Sequence, residues 1–341
     1  MAFEELKKYR DGQLWRGLLR SQEDEFLFFG RQWHSLLDLS PPDFGRPPLI
    51  YHYTDVAGLQ GILESNSLWA SAAYFLNDFS EIEYDCKIVL EVFAEWQELN
   101  KGIQSFETTA LRGLEGVFAH PSSRISRSLT TFVACFCQKG NLLSQWRAYG
   151  QAGGYSLGFE INPNDTSIAL TVPGGFWELR LAKVLYDEHL QRDRIRQIMG
   201  RMFEAIRDNV PGDEVSAELK RLLLSQIVGC GVELLLDAVV TFKNPAFEEE
   251  NEWRLVVRPS VLRTQNEQRS NLTSPIKFRR SRGSLVPYLE LRPKEPKLPL
   301  RSIRYGPSLQ ASRVENPLKM FLSSYGFSEV TVTGSEMPVI L

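Results

Sequence analysis

Cysteine is scarce in this 341-residue chain: there are four thiols, Cys86, Cys135, Cys137 and Cys230, and no pair has CxxC spacing. Histidine is equally rare, and His34, His52, His120 and His189 do not cluster with the cysteines. The sequence therefore offers no zinc ligand set, and reduced thiols point to a cytoplasmic protein. Charge of one sign is also lacking. The 39 Lys and Arg residues oppose 42 Asp and Glu, for a net charge of -3. That leaves no global basic excess to advertise nucleic acid and no acidic tail. The most apolar later stretch, 231–242, contains Glu233 and Asp237 and reads as too short to span a bilayer. The N-terminus lacks a signal-peptide core. Nucleophile-elbow, Walker, dinucleotide-glycine and HExxH patterns are missing, so those enzyme classes lose support.

What is present is an ordinary globular composition, 43% hydrophobic and 24% charged, in a chain long enough to bury a real core. Residues 1–47 read as a helical arm: Leu14, Leu18 and Leu19 recur at helical spacing before Phe26-Leu27-Phe28-Phe29, and a proline-rich break at 41–48 follows. The main domain, 48–341, begins with the strand-like run Pro48-Leu49-Ile50-Tyr51-His52-Tyr53-Thr54. A helix is expected from Thr54 as N-cap, with Val56, Leu59, Ile62 and Leu63 on one stripe. Ala73-Tyr74-Phe75-Leu76 reads as the second strand, and a helix runs from Asn77 to about residue 98. Further strands are expected at 132–137, 155–161, 253–257, 286–291, 302–305 and 329–332, with a helix around 318–325. Residues 188–242 read as a helical insertion in two parts, split at Pro211-Gly212-Asp213. The class is α+β.

Five groups of residues carry chemistry, each with a plainer alternative. His52, at a strand end, suits a ribose contact; it also suits a helix cap or a satisfied core position. Alternation places Glu252, Arg254 and Val256 on one face of their strand, where a carboxylate could stabilise an oxocarbenium-like transition state. The alternative is a solvated acidic loop with Arg254 as ion-pair partner. Asp78 with Glu81 reads as a capping box rather than a metal site, the cap contributing about 1 kcal/mol. In Ser144-Gln145-Trp146-Arg147-Ala148-Tyr149-Gly150, Arg147 could clamp a pyrophosphate, or the segment could be an amphipathic turn with Trp146 in the core. Lys277-Phe278-Arg279-Arg280-Ser281-Arg282 and the arginines at 192, 194, 196 and 201 could meet a polyanion or form solvated faces.

Taken in order, His52-Tyr53-Thr54, Asn77-Asp78 with Glu81, Trp146-Arg147 with Tyr149, Gly158-Phe159, Glu252-Trp253-Arg254 and Tyr305-Gly306-Pro307 resemble a bacterial domain-of-unknown-function family, over about residue 49 to the C-terminus. That family distantly resembles the ADP-ribosyltransferases, whose sites follow a His–Tyr–Glu order. The resemblance implies a split mixed or antiparallel sheet with flanking helices and an NAD-binding cleft. It implies catalytic roles for Glu252, His52 and Tyr74, and NAD contacts from His52, Tyr53, Thr54, Tyr74, Arg147 and Arg254. NAD would be cleaved at its nicotinamide–ribose bond, with ADP-ribose passed to an unknown protein or nucleic-acid acceptor and no metal required. The rival expectations are a non-catalytic nucleotide- or nucleic-acid-binding module of a bacterial regulatory or defence system, and a protein-contact scaffold. Neither involves a membrane.

Overall fold

A computed structural model of the protein describes residues 47–76, 79–102, 105–119, 131–150, 153–161, 168–174, 177–210, 216–259, 275–281 and 283–337, with the side chains of 79–83, 209 and 259 left aside. Residues 1–46, the arm apart from Pro47, lie outside the described residues, as do Asn77, Asp78 and the Glu81 side chain of the expected capping box.

Eleven strands among the described residues form one open, mostly antiparallel sheet in a mixed α/β arrangement. They are β1 (Leu49–Thr54), β2 (Leu68–Ala72), β3 (Phe132–Cys137), β4 (Tyr155–Glu160), β5 (Leu170–Thr171), β6 (Trp177–Lys183), β7 (Glu252–Pro259), β8 (Ile276–Ser281), β9 (Ser284–Pro293), β10 (Leu300–Tyr305) and β11 (Thr331–Gly334). The helices are α1 (Val56–Ser65), α2 (Phe79–Leu99), α3 (Phe106–Ala119), α4 (Leu143–Tyr149), α5 (Glu188–Asn209), α6 (Ala217–Val239) and α7 (Ala311–Ser324).

The sheet forks at β3. One edge of β3 is paired along its whole length with β7, from Phe132↔Val257 to Cys137↔Glu252. Its other edge is shared: β1 meets it at Tyr51↔Cys137, whereas β2 meets it at Ser71↔Val133 and Ala72↔Phe132. From there β1 leads to β4, β10 and the parallel β11, while β2 leads to β9, β8 and β5. Helix α1 joins the two branches and buries Leu59, Ile62 and Leu63 in a core that both branches share, with Ile50, Phe136, Phe159, Trp253, Leu255 and Leu289. A second core lies within α2, α3, α5 and α6. Val240, just past α6, meets Ala73, Val133 and Val256 and links that helical layer to the sheet face opposite α1.

Local chemistry corrects several expectations. Thr54 does not cap α1; it ends β1, paired with Tyr155, and the cap is Asp55, whose carboxylate accepts from the Gly58 N–H at 2.7 Å. Gly58 leaves room here for the Thr54 hydroxyl, since a Cβ would sit 1.8 Å from the Thr54 Oγ1 and force that side chain to move. Tyr74 is not in a strand either: Ala73–Phe75 is a single 3-10 turn. The pairing of β2 with β3 stops at Ala72, and the Ala73 N–H turns to the Thr131 carbonyl at 2.8 Å. Strands β5, β6 and β8 and helix α3 were not foreseen, and the last strand runs over Thr331–Gly334 rather than 329–332. The apolar stretch at 231–242 belongs to a longer element than expected. Helix α6 spans 23 residues, long and apolar enough to cross a membrane by length and composition, yet 67% of its most apolar window is buried within the protein. Such burial is compatible with a core helix of a soluble protein.

Candidate functional site

His52 stands where the sheet divides. Paired residues of adjacent strands share a face, so Tyr51, Cys137 and Glu252 lie on one side. His52, alternating with Tyr51, lies on the other, the side of α1, with its ring edge-on to Phe136 at 5.9 Å. Its Nδ1 bonds the Cys135 carbonyl at 2.9 Å, satisfying a backbone group of β3 beside the divide. That bond makes Nδ1 the protonated nitrogen and leaves Nε2 as an acceptor. Burial pushes the imidazole below its ordinary pKa, the Cys135 bond opposing only in part, so the ring is neutral at pH 7.

Glu252 occupies the opposite face and is 7% exposed. Its Oε1 accepts from Arg254 Nε at 2.8 Å; its Oε2 accepts from Arg254 Nη2 at 3.1 Å and from Lys243 Nζ at 3.1 Å. Burial alone would raise the Glu252 carboxyl, but the charge and hydrogen bonds of Arg254, then Lys243, outweigh it and hold the pKa near about 2. Arg254 turns its Nη1 to the Val240 carbonyl at 2.8 Å, closing the end of α6, and Lys243 also bonds Glu250. The Tyr186 hydroxyl accepts from the Glu252 N–H at 2.9 Å. Arg254 is therefore committed to holding a helix end to a strand and cannot serve as a ligand clamp in this arrangement. The solvated acidic loop considered as an alternative is also wrong at Glu252 itself, although Arg254 is its ion-pair partner.

The other candidates are spread around this divide. The Tyr53 hydroxyl is used within the protein: it donates to the Lys139 carbonyl at 2.8 Å and accepts from the Leu142 N–H at 3.0 Å. Its ring meets Trp146 of α4 edge-on at 4.9 Å, which fixes α4 on the Glu252 side of the sheet. Arg147 is exposed on α4 and, among the described residues, has no ion-pair partner. Tyr74, in its turn after β2, is partly buried and edge-on to Phe75. The structure thus brings Glu252 and Arg254 together, but it sets His52 on the far side of the same strands. Lys243, Tyr186 and Cys135 completed these contacts without having been singled out. The one sequence signal was Lys243, a lone cation following Val239-Val240-Thr241-Phe242.

Thiol chemistry gains no support. Burial, followed by the Glu252 carboxylate, raises Cys135 well above its ordinary value, and burial pushes Cys137 up to about 11 and Cys230 up to about 12. None of the four cysteines is in a disulfide, and Cys135, Cys137 and Cys230 stay protonated near neutral pH. Among the described residues no three His, Cys, Asp or Glu side chains are grouped to hold a metal ion.

The two basic segments differ sharply. On α5, Arg192 pairs with Glu91, Glu95 and Glu188, Arg196 with Glu95 and Asp193, Arg201 with Glu204, and Arg207 with Glu107. Among the described residues, strands β8 and β9 carry four cations, Lys277, Arg279, Arg280 and Arg292, and one carboxylate, Glu290. Glu290 accepts from both Lys277 and Arg292, at 2.9 and 3.1 Å. Arg279 bonds only the Ser71 hydroxyl, and exposed Arg280 has no ion-pair partner among the described residues.

A family model described as "Protein of unknown function (DUF2971)" matches residues 145–255, the segment from α4 into β7. The match includes Trp146-Arg147 and Glu252-Trp253-Arg254 but stops short of the similarity expected from residue 49 to the C-terminus, leaving His52 and the hairpin outside. No curated protein and no solved structure matches the chain.

Proposed function

We propose that this protein is a non-catalytic nucleic-acid-binding module. The observation carrying this reading is the excess charge of strands β8 and β9, whose described residues include four cations and a single carboxylate, while the arginines of α5 are paired off against acids. Unneutralised cations on an exposed strand pair release counterions when they meet phosphates, and that release drives sequence-independent binding. The buried Glu252 supports the non-catalytic part, since its carboxylate is already bonded to two cations. The test is a filter-binding titration with mixed RNA and DNA from low to moderate salt. Binding that weakens linearly on a log–log salt plot is expected; a protein that retains neither polymer at low salt overturns the proposal.

A second reading, ADP-ribosyltransferase-like cleavage of NAD with transfer to an unknown acceptor, is favoured by the forked sheet and by the free Nε2 of neutral His52 beside the divide. His52 would accept from a ribose hydroxyl. Glu252 would have to exchange its bonds to Arg254 and Lys243 for the substrate, and Tyr74 and Arg147 keep their expected ring and phosphate roles. Incubation with NAD and an assay for free nicotinamide separates the readings. Release that disappears in His52→Ala supports the enzyme; turnover unaffected by Glu252→Gln removes that carboxylate from it.

A further inference from the structure

The face of the hairpin turned away from α1 continues onto β2, and pairing fixes what it presents. Trp69 pairs with Glu290, Ser71 with Tyr288, Lys277 with Tyr288 and Arg279 with Val286, so these side chains share one face, as does Arg292, two residues beyond Glu290. Trp69 is 44% exposed although it sits in mid-strand. Its inner side lies on Tyr288, ring centroids 4.4 Å apart and planes tilted by 30°. Buried Tyr288 thus backs the indole, while Trp69 keeps much of its surface open to solvent. Around it stand Lys277, Arg279 and Arg292. The carboxylate of Glu290 is shared by Lys277 and Arg292, so it neutralises less than both. Arg279 gives one Nη2 hydrogen to Ser71 at 3.1 Å, while its buried Nε–H has no partner among the described residues. A solvated face would not be expected to keep a rigid, half-open indole among unbalanced cations. An open ring with cations at strand spacing matches the repeat of a single nucleic-acid strand, in which bases alternate with phosphates.

We infer that this three-strand platform is a docking site for single-stranded nucleic acid, with a base stacked on Trp69 and the neighbouring phosphates held by Lys277, Arg279 and Arg292. The inference rests on the nucleic-acid reading above and narrows it. Paired bases stacked within a duplex offer no free face to an indole, so single strands should be preferred. Exposed Arg280 and Phe278, the latter 63% exposed, lie on the hairpin's other face and are not needed for the stack.

The test measures fluorescence anisotropy of labelled oligo(dT), oligo(rU) and a duplex of equal length with the full chain, and the part of the tryptophan quenching that is lost in Trp69→Phe. Single strands are expected to bind more tightly than the duplex, with the DNA and RNA arms showing which polymer is preferred. Trp69→Ala should weaken single-strand binding roughly tenfold or more, and Trp69→Phe should recover part of it. Lys277→Gln or Arg292→Gln should each lower the log–log salt slope by about 0.7, whereas Arg201→Gln on the paired α5 should leave it unchanged. Far-ultraviolet circular dichroism of each variant reports folding independently. Equal binding of duplex and single strand, or salt-sensitive binding indifferent to Trp69, overturns this inference while leaving the nucleic-acid reading in place. Failure of all three probes to bind at low salt overturns both.

Discussion

At Glu252, burial and charge pull one carboxyl in opposite directions, and the cations win. Its folded pKa, about 2, lies below the ordinary 4.5, so its stabilisation is complete above about pH 4.5 and is lost as pH falls toward 2. Glu252→Ala leaves the Arg254 and Lys243 charges in a buried site without their shared partner, and we expect about 3–5 kcal/mol of destabilisation at pH 7 by urea unfolding. The gap between the two proteins should narrow below about pH 4.5 and close only near about pH 2. His52 acts in a higher window. Its folded pKa is also lowered, so the neutral ring contributes fully above the ordinary histidine value of roughly 6.5 and stability falls as pH drops below it. Urea midpoints for His52→Gln should therefore lack the decline that the parent protein shows between about pH 7 and 5; two parallel curves there would mean the ring is not held neutral by the fold. Strand alternation did show in the sequence that Glu252, Arg254 and Val256 share a face. It could not show that His52 faces the other way, because relative faces across strands depend on register, and register is set by pairing partners far away in the chain.

Elements whose own residues alternate cleanly were legible: β3, β4 and β7 stand close to their expected positions. The second strand was misplaced because Trp69-Ala70-Ser71-Ala72-Ala73 is too small and too even to mark where pairing stops; the Thr131 carbonyl decides that by capturing the Ala73 N–H. Strands β6 and β8 escaped because charged residues interrupt them and their hydrogen bonds come from a single neighbour, β7 for one and β9 for the other. At the junction of α4 and β4, glycine sets the distance between elements. A Cβ on Gly154 would lie 2.4 Å from the Gly150 Cα and 3.2 Å from the Thr54 carbonyl oxygen, and backbone cannot rotate aside as a side chain can. The Gly154 carbonyl also accepts from Gly306 N–H at 2.8 Å, so β4, α4 and the end of β10 are drawn together at one point. Gly154→Ala is expected to cost roughly 1–3 kcal/mol, read as a lowered urea midpoint with an unchanged slope. A neutral outcome would mean that α4 is free to shift.

Across the whole molecule, the two cores meet at a seam that includes buried charges. The helical layer touches the sheet through Val240, Ala73, Val133 and Val256, and beside these few apolar contacts stand two ionic ties. Arg254 binds the Val240 carbonyl while holding Glu252, and Arg258 of β7 pairs with Asp237 of α6 and with Glu178 of β6. Ionic ties between well-filled apolar layers are weak sources of net stability but strong determinants of which surfaces dock, because removing one partner strands the other charge. Each layer has its own apolar cluster, so the seam is where one could open without the other unfolding. Arg254→Met should therefore act unevenly. In native-state hydrogen exchange, amides in α5 and α6 are expected to lose protection by an opening that leaves β3, β4 and β10 protected, whereas in the parent protein the layers exchange together. The sheet strands should keep their original exchange free energies, since Arg254→Met leaves their ladder intact. Equal loss of protection in both layers would show that the seam is continuous with the sheet core and that the helical layer has no independent stability.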